Sequence, residues 1–127
     1  GSSYRWASVG DWARFGQLML NDGRWGSQQV LPPGWLRLAA TPALAQGEGR
    51  GYGAQVWRIG DPEHGECKGH GLPPDTLAMI GHWGQVLAMV PSREAVIVRL
   101  GWTFRRKQFD SCAFVAEALR ALPHQEK

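Results

Sequence analysis

Residues 76–102, Thr76 to Trp102, read TLAMIGHWGQVLAMVPSREAVIVRLGW: three apolar segments, TLAMI, QVLAMV and AVIVRLGW, separated by GHWGQ and then by PSRE. Segments of this length rich in β-branched and apolar residues, bounded by turn formers, predict strands. Pro91 and Ser92 suit a tight turn between the second and third. The three are therefore predicted to be consecutive antiparallel strands.

Downstream, Asp110 is a good helix N-cap, and Phe114, Val115, Ala118, Leu119 and Leu122 fall on one helical stripe before Pro123 stops it. This predicts an amphipathic C-terminal helix covering one face of the sheet. Upstream, GDPEHGECKGHGLPPD at 60–75 is too rich in turn formers for anything but a long loop. GYGAQVWRI at 51–59 alternates Tyr52, Ala54 and Val56 with Gly53, Gln55 and Trp57, the period of two expected of a strand.

Earlier still, Pro33 can open a short helix that Pro42 ends, with Trp35, Leu36 and Ala39 on its inner side. Ser8 and Asp11 form a capping-box pattern, because the Ser hydroxyl can accept from the Asp11 N–H while the Asp11 side chain reaches back. Trp12, Phe15 and Met19 recur at helical spacing from there, and Asn21-Asp22-Gly23 supplies a stop, so a helix is predicted from about Ser8 to Asp22. The fold class that follows is α+β: one domain over 1–127, an antiparallel sheet of three to four strands, a helix packed on it at the C-terminus and a helix at the N-terminus.

At 127 residues the chain is long enough to bury a core, and no apolar run approaches the roughly 20 residues of a membrane-spanning helix. The net charge is +3, but the basic residues are scattered and their only run is Arg105, Arg106 and Lys107, which argues against nucleic acid as a partner. Cys67 and Cys112 show neither C-x-x-C spacing nor a matching pair of His ligands, and read as unpaired thiols, with a disulfide between them left open. His64 and His70, with Glu66 and Cys67, fit no closed tetrahedral site, so neither a metal nor a cofactor is expected. The chain opens on GSSYRWAS without Met, as after a vector scar or the removal of an upstream region, and the compartment stays open.

The chemistry centres on GHWGQ. Glycine permits close approach because no Cβ blocks that side, so Gly81 and Gly84 would leave the Gln85 N–H reachable from outside the sheet. An exposed N–H at a strand edge is half of an oxyanion hole, and a neighbouring His82 could orient or share a proton. The same residues also read as a bulged hairpin with His82 a solvent-facing turn residue.

ASVGDWARFGQLMLNDGRWGSQQVLPPGW at 7–35, GYGAQVW at 51–57 and GHWGQVLAMVPSREAVIVRLG at 81–101 together resemble the C-terminal part of the serine β-lactamase-like hydrolases, which include class C β-lactamases, related esterases and 6-aminohexanoate-oligomer hydrolases. The resemblance runs from about Gly1 to Leu119 and implies part of a β-lactamase/transpeptidase-like fold. In that family the site combines a nucleophilic Ser in S-x-x-K, a Tyr or Ser in Y-x-N or S-x-N, and a K-T-G-like triplet on a strand. The resemblance assigns the triplet to His82, Trp83 and Gly84, and the second oxyanion N–H to Gln85. It also implies amide or ester hydrolysis of a small molecule through an acyl-enzyme. Gly81 would sit in the substrate cleft with Trp83 and Gly84, joined by Tyr4 and Trp6, which precede the first helix where the family lines its cleft.

In place of the triplet's Lys stands His82, usual in the esterase-like and oligomer-hydrolase branches and contrary to a dedicated β-lactamase. No Ser is followed three residues on by Lys, and neither Tyr4 nor Tyr52 opens a Y-x-N. The chain therefore reads as the C-terminal portion of such an enzyme, inactive alone, with an exposed sheet edge and apolar face that invite self-association. The other reading is a non-catalytic binding or interaction module that kept the scaffold.

Overall fold

The computed structural model of the chain describes residues 5–42, 51–105 and 108–124. In chain order the elements are α1 (Val9–Leu20), the short strands β1 (Arg24–Trp25) and β2 (Gln28–Gln29), α2 (Trp35–Ala40), β3 (Leu77–Gly81), β4 (Gln85–Val90), β5 (Ala95–Arg99) and α3 (Ser111–Ala121). β3, β4 and β5 form an antiparallel sheet in that order, with Ala78 opposite Ala88 and Ala88 opposite Ile97. The fold is the α+β architecture predicted, and no helix among the described residues is long and apolar enough to cross a membrane.

Side chains alternate across this sheet, and each face has its own core. Leu77 and Met89 face one way, against Met19 of α1, Ala39 of α2 and Val56. Ala78, Val86, Ala88, Val90, Ala95 and Ile97 face the other, against Val115 and Leu119 of α3 and against Ile59 and Cys67. β4 is thus buried on both sides, which explains why VLAMV at 86–90 is continuously apolar rather than alternating. At Gly16 α1 lies tight against the sheet, since a Cβ there would stand 2.6 Å from Cγ1 of Val96.

The capping box forms as the sequence indicates: the Ser8 hydroxyl accepts from the Asp11 N–H at 3.1 Å while Asp11 accepts from the Ser8 N–H at 3.0 Å. Asp22 and Gly23 both take positive φ after the helix, which ends it. Asp110 caps α3 by accepting from the Ala113 N–H at 3.0 Å.

Three expectations are corrected. The segment at 51–59 is not a strand: Tyr52 bridges back to Trp57 around a turn in which Gln55 has φ +69°, and only Trp57 reaches β3, through paired hydrogen bonds with Ala78. Its period of two reflects Gly53 tucked against the Ala39 carbonyl and Val56 turned into the core, not a pleated run. Cys67 and Cys112 are not free thiols but a disulfide with Cα atoms 5.2 Å apart. The long loop brings Cys67 under the sheet, where its N–H donates to the Ile59 carbonyl, and no local pattern announces a partner 45 residues away. Finally, α1 and α3 cover both faces of the sheet, so the apolar face expected to be open is packed; among the described residues the outer edge of β5 lacks a strand partner and that of β3 has only the Trp57 bridge.

Candidate functional site

The β3–β4 hairpin closes at the pair Gly81 and Gln85, leaving His82, Trp83 and Gly84 as its turn. Trp83 has φ +60° and Gly84 φ +81°. Left-handed backbone is free for glycine and costs about 1 kcal/mol or more for tryptophan. Gly84 is also pressed from behind, because a Cβ there would stand 2.5 Å from an Arg99 nitrogen. The glycine is therefore required by the turn and by the arginine beneath it, a different reason from ligand approach.

Arg99 and Gln85 fix this turn in place. Arg99 donates to the Gly84 carbonyl at 2.6 Å and to the Thr103 hydroxyl at 2.8 Å, and its guanidinium lies 3.7 Å over the Phe109 ring. Gln85 grips the Gly101 backbone from both ends of its amide, donating to the carbonyl and accepting from the N–H. The Thr103 N–H donates to the Trp83 carbonyl at 3.1 Å. Segment 99–104 therefore clamps the hairpin tip, and charge-assisted bonds such as those of Arg99 are the stronger kind.

Beside the tip lies a cleft of about 800 Å³. Gly81, His82, Trp83 and Gly84 line one part of it, with Thr103, Phe104 and Phe109 next to them and Ser111 at the start of α3. Tyr52, Trp57, His64 and Glu66 line it from the long loop and its approach. Gln85, expected to face the cleft, is not among the residues that line it: it pairs with Gly81 in the ladder and its side chain serves the clamp. Trp6 is 95% exposed and does not line the cleft, and Tyr4 lies outside the described residues, as do Arg106 and Lys107.

His82 is exposed, its ring 4.7 Å from that of Trp83. Among the described residues no hydrogen bond or ion pair holds it. His64 is the more constrained imidazole: its Nδ1 is 3.5 Å from Oδ1 of Asp61, a carboxylate only 7% exposed. Asp61 also accepts from the backbone N–H groups of Glu63 and His64 at 2.9 and 2.8 Å and pairs with Arg58 at 2.6 Å. Burial alone would raise its pKa; the two N–H donors and the positive Arg58 outweigh that and hold it below the usual carboxylate range.

The tip also carries an aromatic cluster. The Trp83 ring lies 4.7 Å from Phe104 and 5.9 Å from Trp102, and the last two are strongly exposed. These rings form a broad apolar surface continuous with the cleft wall.

The structure thus gathers Gly81, His82, Trp83 and Gly84 at one cleft and leaves Trp6 out of it. Sequence reading missed the Asp61–His64 pair, the Arg99 clamp and the Trp102–Phe104 platform. A carboxylate three residues before a histidine is a signal for the first; only folding brings Arg99 and residues 102–104 to the hairpin. Chemically the cleft offers two imidazoles and a carboxylate for proton transfer. Its serine, Ser111, is followed three residues on by Phe114, and among the described residues no hydrogen bond joins it to a histidine. No protein-family model and no curated protein matches this chain.

Proposed function

We propose that the chain is the C-terminal part of a serine hydrolase of the β-lactamase-like kind, cleaving amides or esters through an acyl-enzyme whose nucleophile lies on residues outside this chain. The observation that carries the reading is the His82-Trp83-Gly84 turn on the wall of a cleft large enough for a small ligand, at the hairpin where the resemblance puts the family's third motif. In this reading His82 orients or exchanges a proton with the substrate, and the aromatic cluster binds the apolar part of the substrate.

The test compares the 127-residue chain with a longer product of the same gene carrying S-x-x-K, on a p-nitrophenyl ester and on a chromogenic β-lactam. The longer protein is expected to cleave the ester, and His82→Ala to lower its kcat/KM by about 100-fold. The short chain is expected to cleave neither. Turnover by the short chain that His82→Ala abolishes would place the nucleophile inside it and overturn the reading.

The exposed rings of Trp83, Trp102 and Phe104 favour a second reading, a binding module that keeps the scaffold without chemistry. A longer gene product without S-x-x-K that cleaves no ester would support it. Under the hydrolase reading the outer edge of β5 is covered by upstream residues in the whole enzyme. The isolated chain is then expected to self-associate, and a clean monomer in light scattering at high concentration would count against that.

A further inference from the structure

The loop that carries Cys67 and the start of α3 bring a second set of groups together. One donor atom from each of His70, Asp110 and Cys112 lies within 4.8 Å of the others, and Cys67 Sγ is bonded to Cys112 Sγ. Nitrogen and sulfur ligands, with a carboxylate oxygen, are the donor set zinc prefers. We propose that reduction of the Cys67–Cys112 disulfide converts this staple into a zinc site formed by Cys67, His70, Asp110 and Cys112.

Local geometry places these residues on two short segments. Cys67 and His70 are the ends of a turn in which the His70 N–H donates to the Cys67 carbonyl at 3.1 Å and Gly69 takes φ +88°. This turn keeps Cys67 and His70 close along the chain, while Cys67 Sγ enters the group through its bond to Cys112. Asp110 and Cys112 flank the first position of α3, where aligned N–H dipoles favour negative charge. Asp110 spends Oδ1 on the Ala113 cap, while its Oδ2 lies 3.9 Å from Nε2 of His70. Tetrahedral zinc bonds hold donors about 3.4 to 3.8 Å apart. The histidine and carboxylate therefore need to close by less than about an ångström, while the two sulfurs separate once their bond is gone.

The conversion balances as two steps. A water-soluble phosphine reduces the disulfide, taking an oxygen atom from water to become the phosphine oxide while the two sulfurs gain protons. Zinc then displaces those two protons as the thiolates bind. His70 and Asp110 are exposed, which gives the metal a way in, whereas Cys67 and Cys112 are buried and make the inner half of the site. The metal would tie the long loop to α3 as the disulfide does.

The experiment titrates the phosphine-reduced 127-residue chain with zinc against a chromophoric chelator, and with cobalt to read the absorption bands of a tetrahedral thiolate site. One ion per reduced chain is expected, with no such site in the oxidised chain. His70→Ala, an exposed change, is expected to weaken binding at least tenfold, by about the lower end of what disturbing a metal site costs. Asp110→Asn keeps an oxygen for the helix cap and is expected to weaken binding as well. Equal binding by the oxidised chain, or affinity and cobalt spectrum unchanged in His70→Ala, would overturn the proposal.

Discussion

Replacing Cys67 and Cys112 together with alanine is expected to lower the unfolding free energy by about 4 kcal/mol, the loss of loop-closure constraint for a 45-residue span. The bond is placed for a large effect. The segment it closes contains β3, β4 and β5, so the unlinked unfolded chain gains freedom over the whole sheet. Folded domains of this kind are stable by roughly 5–15 kcal/mol, so the doubly substituted chain should sit close to its unfolding transition. Both sulfurs also pack in the core beside Ile59 and Val115, so some packing is lost as well. Urea unfolding with a chelator present, to exclude metal, measures the difference. A change below about 1 kcal/mol would mean that the sheet holds the loop without the bond.

Asp61→Ala is expected to cost about 1–3 kcal/mol, the range for leaving buried donors without their acceptor. The substitution takes from Arg58 the carboxylate 2.6 Å away and leaves the N–H groups of Glu63 and His64 without their acceptor. It also frees the His64 ring on the cleft wall, so a ligand bound there should weaken along with the fold. Asp61→Asn keeps an oxygen for the two N–H groups and should lose less. Chemical unfolding of the two variants separates charge from hydrogen bonding.

The same carboxylate gives a pH dependence of definite sign. Its folded pKa is lowered, so its stabilisation is fully present above the unfolded value of about 3.9 and is lost as pH falls through the lower folded value. Asp11 shifts the same way, chiefly through the Ser8 hydroxyl bond. Comparing the native chain with Asp61→Asn across the acid range isolates the Asp61 part: the variant should show a shallower loss of stability below about pH 4.

The elements with strong local rules were legible in the sequence. Ser8 and Asp11 carry both halves of a capping box, Asp110 is a side-chain cap, and the apolar segments around GHWGQ and PSRE gave the order of β3, β4 and β5. The segment at 51–59 misled because a period of two is also produced by a turn whose Val56 points inward and whose Gly53 meets a backbone carbonyl. At the candidate site, residues 81–84 could be singled out because glycines around an ionisable ring are unusual between strands. Their clamp could not: Arg99, Gly101 and Thr103 reach the hairpin only because β5 folds back beside β4.

By itself, then, the sequence determined what depends on neighbours within a few residues: the three strands of the sheet, and where the first and last helices begin and end. Tertiary structure alone decided that Cys67 meets Cys112, that Asp61 lies buried beneath His64, and that the Trp83, Trp102 and Phe104 rings share one surface. Those pairings join residues on separate turns of the chain, and their energies arise from burial and charge proximity, which exist only once the two faces of the sheet have been covered.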